Sequence, residues 1–217
     1  MADRLDYPRW PVAGAVLVSI VLYAVLPSDL IPQAPFLRFV VPALQILLIA
    51  ILTIDGPRQM LLNAGLRRHA SVALIALISL GNAVALCLLL HQLLYGGGIS
   101  GRTLLFASFD IWATNVIAFS LWYWELDGGG PVARRKDPGG RRDFAFVQQT
   151  NPDLKTPGWL PDYFDYLYLG FTNSIAFSPT DTMPLTRMAK LLMLFQSALS
   201  AVTILLVAAR AVNILNG

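Results

Sequence analysis

"LPDYFDYLYLGFTNSIAFSPTDTMPLT", Leu160 to Thr186, decides how this chain folds. Tyr163, Tyr166, Leu167, Gly170 and Ser174 recur at helical spacing. Asp162, just after Pro161, is placed to cap that helix. About fifteen helical residues rise only about 22 Å at 1.5 Å each, short of the ~30 Å hydrocarbon layer. The stretch therefore reads as a half-span, re-entrant or interfacial. Pro179 stops the helix. Non-helical backbone at membrane depth is tolerated only where protein or a water-filled cavity shelters it.

The surroundings set the context. Of 217 residues, 56% are hydrophobic and 13% charged, about half the charge of a soluble domain. Four apolar runs precede the half-span: Trp10–Leu26, Pro35–Ile54, Ser71–Tyr95 and Thr103–Trp124. A fifth, Leu185–Leu215, follows it. The reading is an all-α polytopic membrane protein with about five transmembrane helices and a re-entrant half-helix before the last. Residues 1–125 form a four-helix transmembrane region, 126–161 a polar basic loop, and 162–217 the half-helix, polar turn and final span. The N-terminus lacks a clear cleavage site, so its apolar run reads as a retained span. Tyr95, Trp122, Tyr123 and Trp124 lie at run ends, as an interfacial aromatic belt expects.

Charge placement gives an orientation. With the N-terminus inside, all but Arg38, Arg102 and Arg210 of the 16 Lys and Arg fall on the cytoplasmic side. The half-helix then enters from the cytoplasm. Arg210 snorkels to the far interface. The basic run "GGGPVARRKDPGGRRD" is expected to lie at the surface beside anionic headgroups. The lipid bilayer is thus a partner and nucleic acid is not.

Several polar residues are candidates for chemistry. Asp110 is the one acid well inside an apolar run, and such acids face protein or water. Asn82 and His91 suit hydrogen bonds between helices. Gln196, Ser197, Ser200 and Thr203 make a polar stripe on the last span, fit either to line a pore or to seal a helix contact. Thr172, Asn173 and Ser174 stud the half-helix. Ala176, Phe177, Ser178, Pro179, Thr180 and Asp181 form the turn. Ser-Pro-Thr-Asp is also good turn chemistry, with Asp181 or Thr182 able to cap the final helix and Pro184 suited to its first turn. The single cysteine, Cys87, allows no internal disulfide, and no Cys/His spacing suits a metal. No nucleophile–base constellation or phosphate-binding glycine motif is present, so neither enzyme activity nor cofactor is expected.

The order half-helix, polar turn, Asp, short linker and polar-studded final span resembles the pore module of the tetrameric potassium-channel superfamily. "YLYLGFTNSIA" falls on the pore helix and "AFSPTD" on the filter, with Asp181 at its terminal acid. "PLTRMAKLL" falls on the start of the inner helix through Pro184, Thr186 and Ala189, and "LLVAARAV" on its inner end. The resemblance covers about the last quarter of the chain. It implies passive, weakly selective permeation of monovalent cations through a homo-oligomer, a tetramer in that superfamily. The filter departs from the potassium type, because Ser178, Pro179 and Thr180 stand where glycines would supply positive φ. Hydroxyls and the Asp181 carboxylate would meet the ion instead. Potassium-channel pores enter from outside, the reverse of the charge reading. The whole chain also looks like an uncharacterised family of bacterial inner-membrane proteins in which a "PDYxDFLYxSFT" segment precedes the last span. The resemblance implies the cytoplasmic membrane and no established activity. The competing reading is a non-conducting membrane scaffold or accessory subunit.

Overall fold

A computed structural model describes residues 10–25, 37–63, 65–95, 100–151, 153–154, 158–178 and 181–215. Its helices are α1 (Trp10–Val25), α2 (Leu37–Thr53), α3 (Asp55–Asn63), α4 (Arg67–Tyr95), α5 (Gly101–Leu126), α6 (Pro131–Lys136), α7 (Val147–Thr150), α8 (Tyr163–Ala176) and α9 (Arg187–Leu215). Two short strands, β1 (Phe144–Phe146) and β2 (Thr182–Pro184), pair antiparallel.

Among the described residues three helices, α4, α5 and α9, are long and apolar enough to cross a membrane, which fits a membrane protein. The expected count of about five spans is not supported. α1 and α2 are apolar but only 16 and 17 residues long, about 25 Å at 1.5 Å per residue. These lengths are those of the described residues, which begin at 10 and break between 25 and 37. α2 keeps Pro42 inside it and gives way at Ile54 to the polar α3.

α5 is the hub. From Thr114 to Glu125 almost every side chain is buried, because α1, α4, α8 and α9 all pack on it. Where α8 meets α5, Gly170 matters: a Cβ there would fall on Ser120 Oγ. The small residue lets the two helices come close.

The direction of each helix follows from its contacts. Along α8, Tyr163 and Tyr166 meet Trp124, Gly170 meets Ser120, and Phe171 meets Trp112. Rising numbers on α8 match falling numbers on α5, so these helices are antiparallel. α9 does the same, with Gln196 on Tyr123 and Ser200 on Asn115. α8 and α9 therefore run the same way. The chain must double back between them, within residues 177–186. β2 marks the return: Thr182 pairs with Phe146 and Pro184 with Phe144, back at the end where α5 stops and α8 starts.

The segment expected to be a solvated polar loop is instead folded in part. After α5 the run Gly128, Gly129, Gly130 takes positive φ throughout (57°, 82° and 100°), which side-chain-bearing residues adopt at a cost. This tight turn brings α6 and β1 back beneath the bundle. Asp127 takes backbone N–H groups of Asp143 (2.7 Å) and Phe144 (3.2 Å) and the hydroxyl of Tyr166 (2.5 Å). Asp143 accepts from Gly128 N and from the Thr186 hydroxyl. Two carboxylates thus tie the ends of α5, α8 and α9 together. Arg134, expected at the surface, is fully buried. Its Nη1 donates to the Trp124 and Asp127 carbonyls, both at 2.7 Å, and its guanidinium lies 4.7 Å from the Trp124 ring centre and 5.0 Å from that of Tyr166. The two carbonyls on Nη1 and the two ring contacts offset part of the cost of burying the guanidinium, whose Nε and Nη2 donate to no acceptor among the described residues.

Candidate functional site

α8 is held at its start by a reciprocal cap. Asp162 Oδ1 accepts from Phe164 N and Asp165 N, and Asp165 Oδ2 accepts from Asp162 N. Burial pushes the Asp165 carboxyl above its ordinary range. The Asp162 N–H it accepts pulls it back, and the charges of Asp162 and Asp181 push it up again. Asp181 lies near the first turn of α8, because its neighbour Thr182 pairs with Phe146, whose ring meets Tyr166 there.

The helix stops at Ala176, and Phe177 closes it in the left-handed region at φ 52° and ψ 25°, a conformation that costs an L-residue roughly 1–2 kcal/mol. Ala176, Phe177 and Ser178 are exposed and Asp181 is half-buried. Asp181 Oδ1 accepts from the Thr182 hydroxyl at 3.0 Å. Pro179 and Thr180 lie outside the described residues. Neither Asp181 nor Thr182 caps α9. That role falls to Thr186, whose Oγ1 accepts from Ala189 N at 3.3 Å, and Pro184 ends a strand rather than opening the helix.

Deeper in, α8 and α9 meet α5 through a seam of amides and hydroxyls centred on Gln196, which is fully buried. Its Nε2 donates to the Gly170 carbonyl (2.7 Å) and Ser174 Oγ (2.8 Å). Its Oε1 accepts from the Tyr123 hydroxyl (2.5 Å) and Asn173 Nδ2 (2.8 Å). Asn173 Nδ2 also reaches the Met193 carbonyl, and Ser197 Oγ donates back to Asn173. Asn115 Nδ2 donates to Ser200 Oγ at 2.9 Å. Thr203 is buried and bonds its own helix at the Leu199 carbonyl. Of the half-helix residues singled out, Asn173 and Ser174 join the seam. Thr172 bonds back to Tyr168 and Leu169 within α8.

So the stripe on α9 faces helices of its own chain, and it serves as a contact. Two members were not expected. Tyr123 reads in the sequence as an interfacial belt residue, yet it is fully buried, as Trp124 nearly is. Asn115 lies five residues beyond Asp110, within the same apolar run. The available signal was spacing: Asn115 and Tyr123 lie eight residues apart, two turns along one helix face.

Asp110 is half-buried, and the described residues offer it no hydrogen bond or ion pair. It does not join the seam. His91 is exposed and stacks on Tyr95 at 5.3 Å instead of bonding across helices, while Asn82 is buried in α4. The Arg210 side chain lies outside the described residues. Among the described residues no group of three His, Cys, Asp or Glu could hold a metal.

The site belongs to a helical membrane protein in which a half-helix and the last long helix are bonded side by side to a buried central helix. Comparison with family models, curated proteins and solved structures finds no match to this chain.

Proposed function

We propose that α5, α8, the return through residues 177–186 and α9 form a pore-loop module, and that copies of this protein assemble in a bacterial cytoplasmic membrane to pass monovalent cations. The observation that carries the reading is the parallel run of α8 and α9, with Phe177 closing α8 and β2 back at the level where α8 starts. In this reading the seam around Gln196 sets the depth of the half-helix. The ion meets the return itself, through Ser178, Thr180 and the Asp181 carboxylate, four copies of each in a tetramer. Carboxylate rings of this kind attract hydrated cations with little selection among them.

The sealing of the polar stripe inside one chain favours a second reading, a non-conducting scaffold or accessory subunit. Reconstitution separates the two. Purified protein in liposomes is expected to carry K⁺ and Na⁺ down a gradient, with Asp181→Asn lowering the cation flux at unchanged oligomeric state. Flux no greater than that of empty liposomes would leave the scaffold reading, and flux indifferent to Asp181→Asn would remove Asp181 from the pathway.

A further inference from the structure

A second feature lies away from the loop module. At the basic end of the bundle, α1 to α6 line a partly open cavity of about 110 Å³. Its wall is mainly aliphatic, with Val16, Ile49 and Leu74 among the lining residues, and three charged side chains reach it: Arg58, Arg67 and Glu125. Glu125 is only 3% exposed, and its Oε1 has no hydrogen-bond partner. Arg67 Nη1 stands 3.9 Å from that oxygen, within ion-pair range but beyond a hydrogen bond. A buried carboxylate oxygen without a donor is costly, and its surroundings are otherwise well packed. The site is built to receive a donor.

We propose that this cavity binds the head group of an aminophospholipid, with the ammonium on Glu125 and the phosphate on Arg67 and Arg58. The charges select it. A simple cation would face the guanidiniums of Arg58 and Arg67, with those of Arg68 and Arg134 also acting on Glu125, the one carboxylate in the lining. A simple anion would leave Glu125 Oε1 without a donor. A zwitterion with phosphate two carbons from an ammonium meets both demands, and guanidiniums favour phosphate oxygens. A cavity of roughly 150 Å³ accepts benzene; at about 110 Å³ this one is smaller, so it takes the ammonioethyl end of the head group, with the phosphate at its mouth on the arginines. The acyl chains stay outside in the leaflet. A trimethylated ammonium brings no N–H to Glu125, so choline lipids bind poorly.

The test uses the full chain in detergent and native mass spectrometry. The probes are phosphatidylethanolamine, phosphatidylcholine and phosphatidylglycerol with identical acyl chains. Ethanolamine lipid is expected to be retained at least about tenfold over choline lipid, since loss of one charge-assisted hydrogen bond costs ~1.5–3 kcal/mol. Glu125→Gln removes that preference, and Ala13→Phe, which fills the cavity from α1, removes retention. Soluble phosphoethanolamine displaces the lipid and phosphocholine does not. Equal retention of the ethanolamine and choline lipids overturns the proposal, as does stronger retention of the glycerol lipid or a preference that survives Glu125→Gln. If Glu125→Gln does not fold, Ala13→Phe decides alone, and undiminished retention in it is fatal.

Discussion

Replacing Gln196 with Leu keeps the approximate side-chain size and removes every polar atom at the centre of the seam. Four hydrogen bonds go: two donated by Nε2, to Gly170 O and Ser174 Oγ, and two accepted by Oε1, from Tyr123 and Asn173. Hydrogen bonds between helices in a membrane protein average about 0.6 kcal/mol, so four amount to about 2.4 kcal/mol. The Tyr123 hydroxyl is then an orphan donor in a dry interior, and such a group costs ~1–3 kcal/mol. Asn173 fares better, since Nδ2 keeps the Met193 carbonyl. The expected loss is therefore about 3–5 kcal/mol. Reversible unfolding in mixed detergent–dodecylsulfate micelles, followed by tryptophan fluorescence, measures it. The double variant Tyr123→Phe/Gln196→Leu is expected to recover roughly 1 kcal/mol, because removing both partners also removes the orphan. A single Gln196→Leu variant within about 0.5 kcal/mol of wild type, the range of an unremarkable surface change, would refute the claim that this seam holds α8 against α5 and α9.

Three further outcomes follow from the same geometry. Gly170→Ala drives a methyl onto Ser120 Oγ and is expected to cost ~1–3 kcal/mol as an overpacked contact, with Ser120→Ala restoring part of the loss in the same unfolding assay. Asp127→Ala deletes the acceptor for Asp143 N, Phe144 N and the Tyr166 hydroxyl; limited trypsin digestion is expected to cut within residues 134–142 several-fold faster, and an unchanged rate would contradict the clamp. Asp110→Asn should leave detergent stability within about 0.5 kcal/mol, because Asp110 has no bond among the described residues to lose; a larger drop would mean that a partner meets this carboxylate.

What the sequence disclosed, and what it hid, divides along local and distant interactions. The short α8 was legible because its period, its cap at Asp162 and its stop before Pro179 all lie within twenty residues. The polar stripe of α9 was legible as a stripe, since 196, 200 and 203 share a helix face. Its destination was not, because Asn115 and Tyr123 come from some 80 residues upstream. The pairing of β1 with β2 joins Phe144 to Pro184, and three-residue strands carry no pattern of their own. Arg134 was hidden by its company: inside "ARRK" it looks like every other surface charge, and only Trp124 and Tyr166, placed by the fold, make it a core residue. Of the five apolar runs, three correspond among the described residues to helices long enough to span, and the described parts of the first two are 16 and 17 residues long.

Orientation and electrostatics now constrain each other. Arg58, Arg67, Arg68, Arg134, Arg135, Lys136, Arg141, Arg142, Arg187 and Lys190 all sit on α3, the start of α4, the segment after α5 or the start of α9, which gather at one end of the bundle. Under the positive-inside rule such a bias is what a cytoplasmic end carries. α8 sets out from this end, and the chain returns to it at β2. A loop opening there lies beneath a field of guanidiniums, which by itself repels cations. Against it stand Asp162, Asp165 and Asp181, coupled closely enough for the last two to influence one another. Salt screens charges over about 8–10 Å, so at physiological ionic strength only the groups nearest the loop act on an entering ion. Any cation entry at this end must therefore depend on the three carboxylates around the start of α8. Asp181 is the one of the three that the return itself carries.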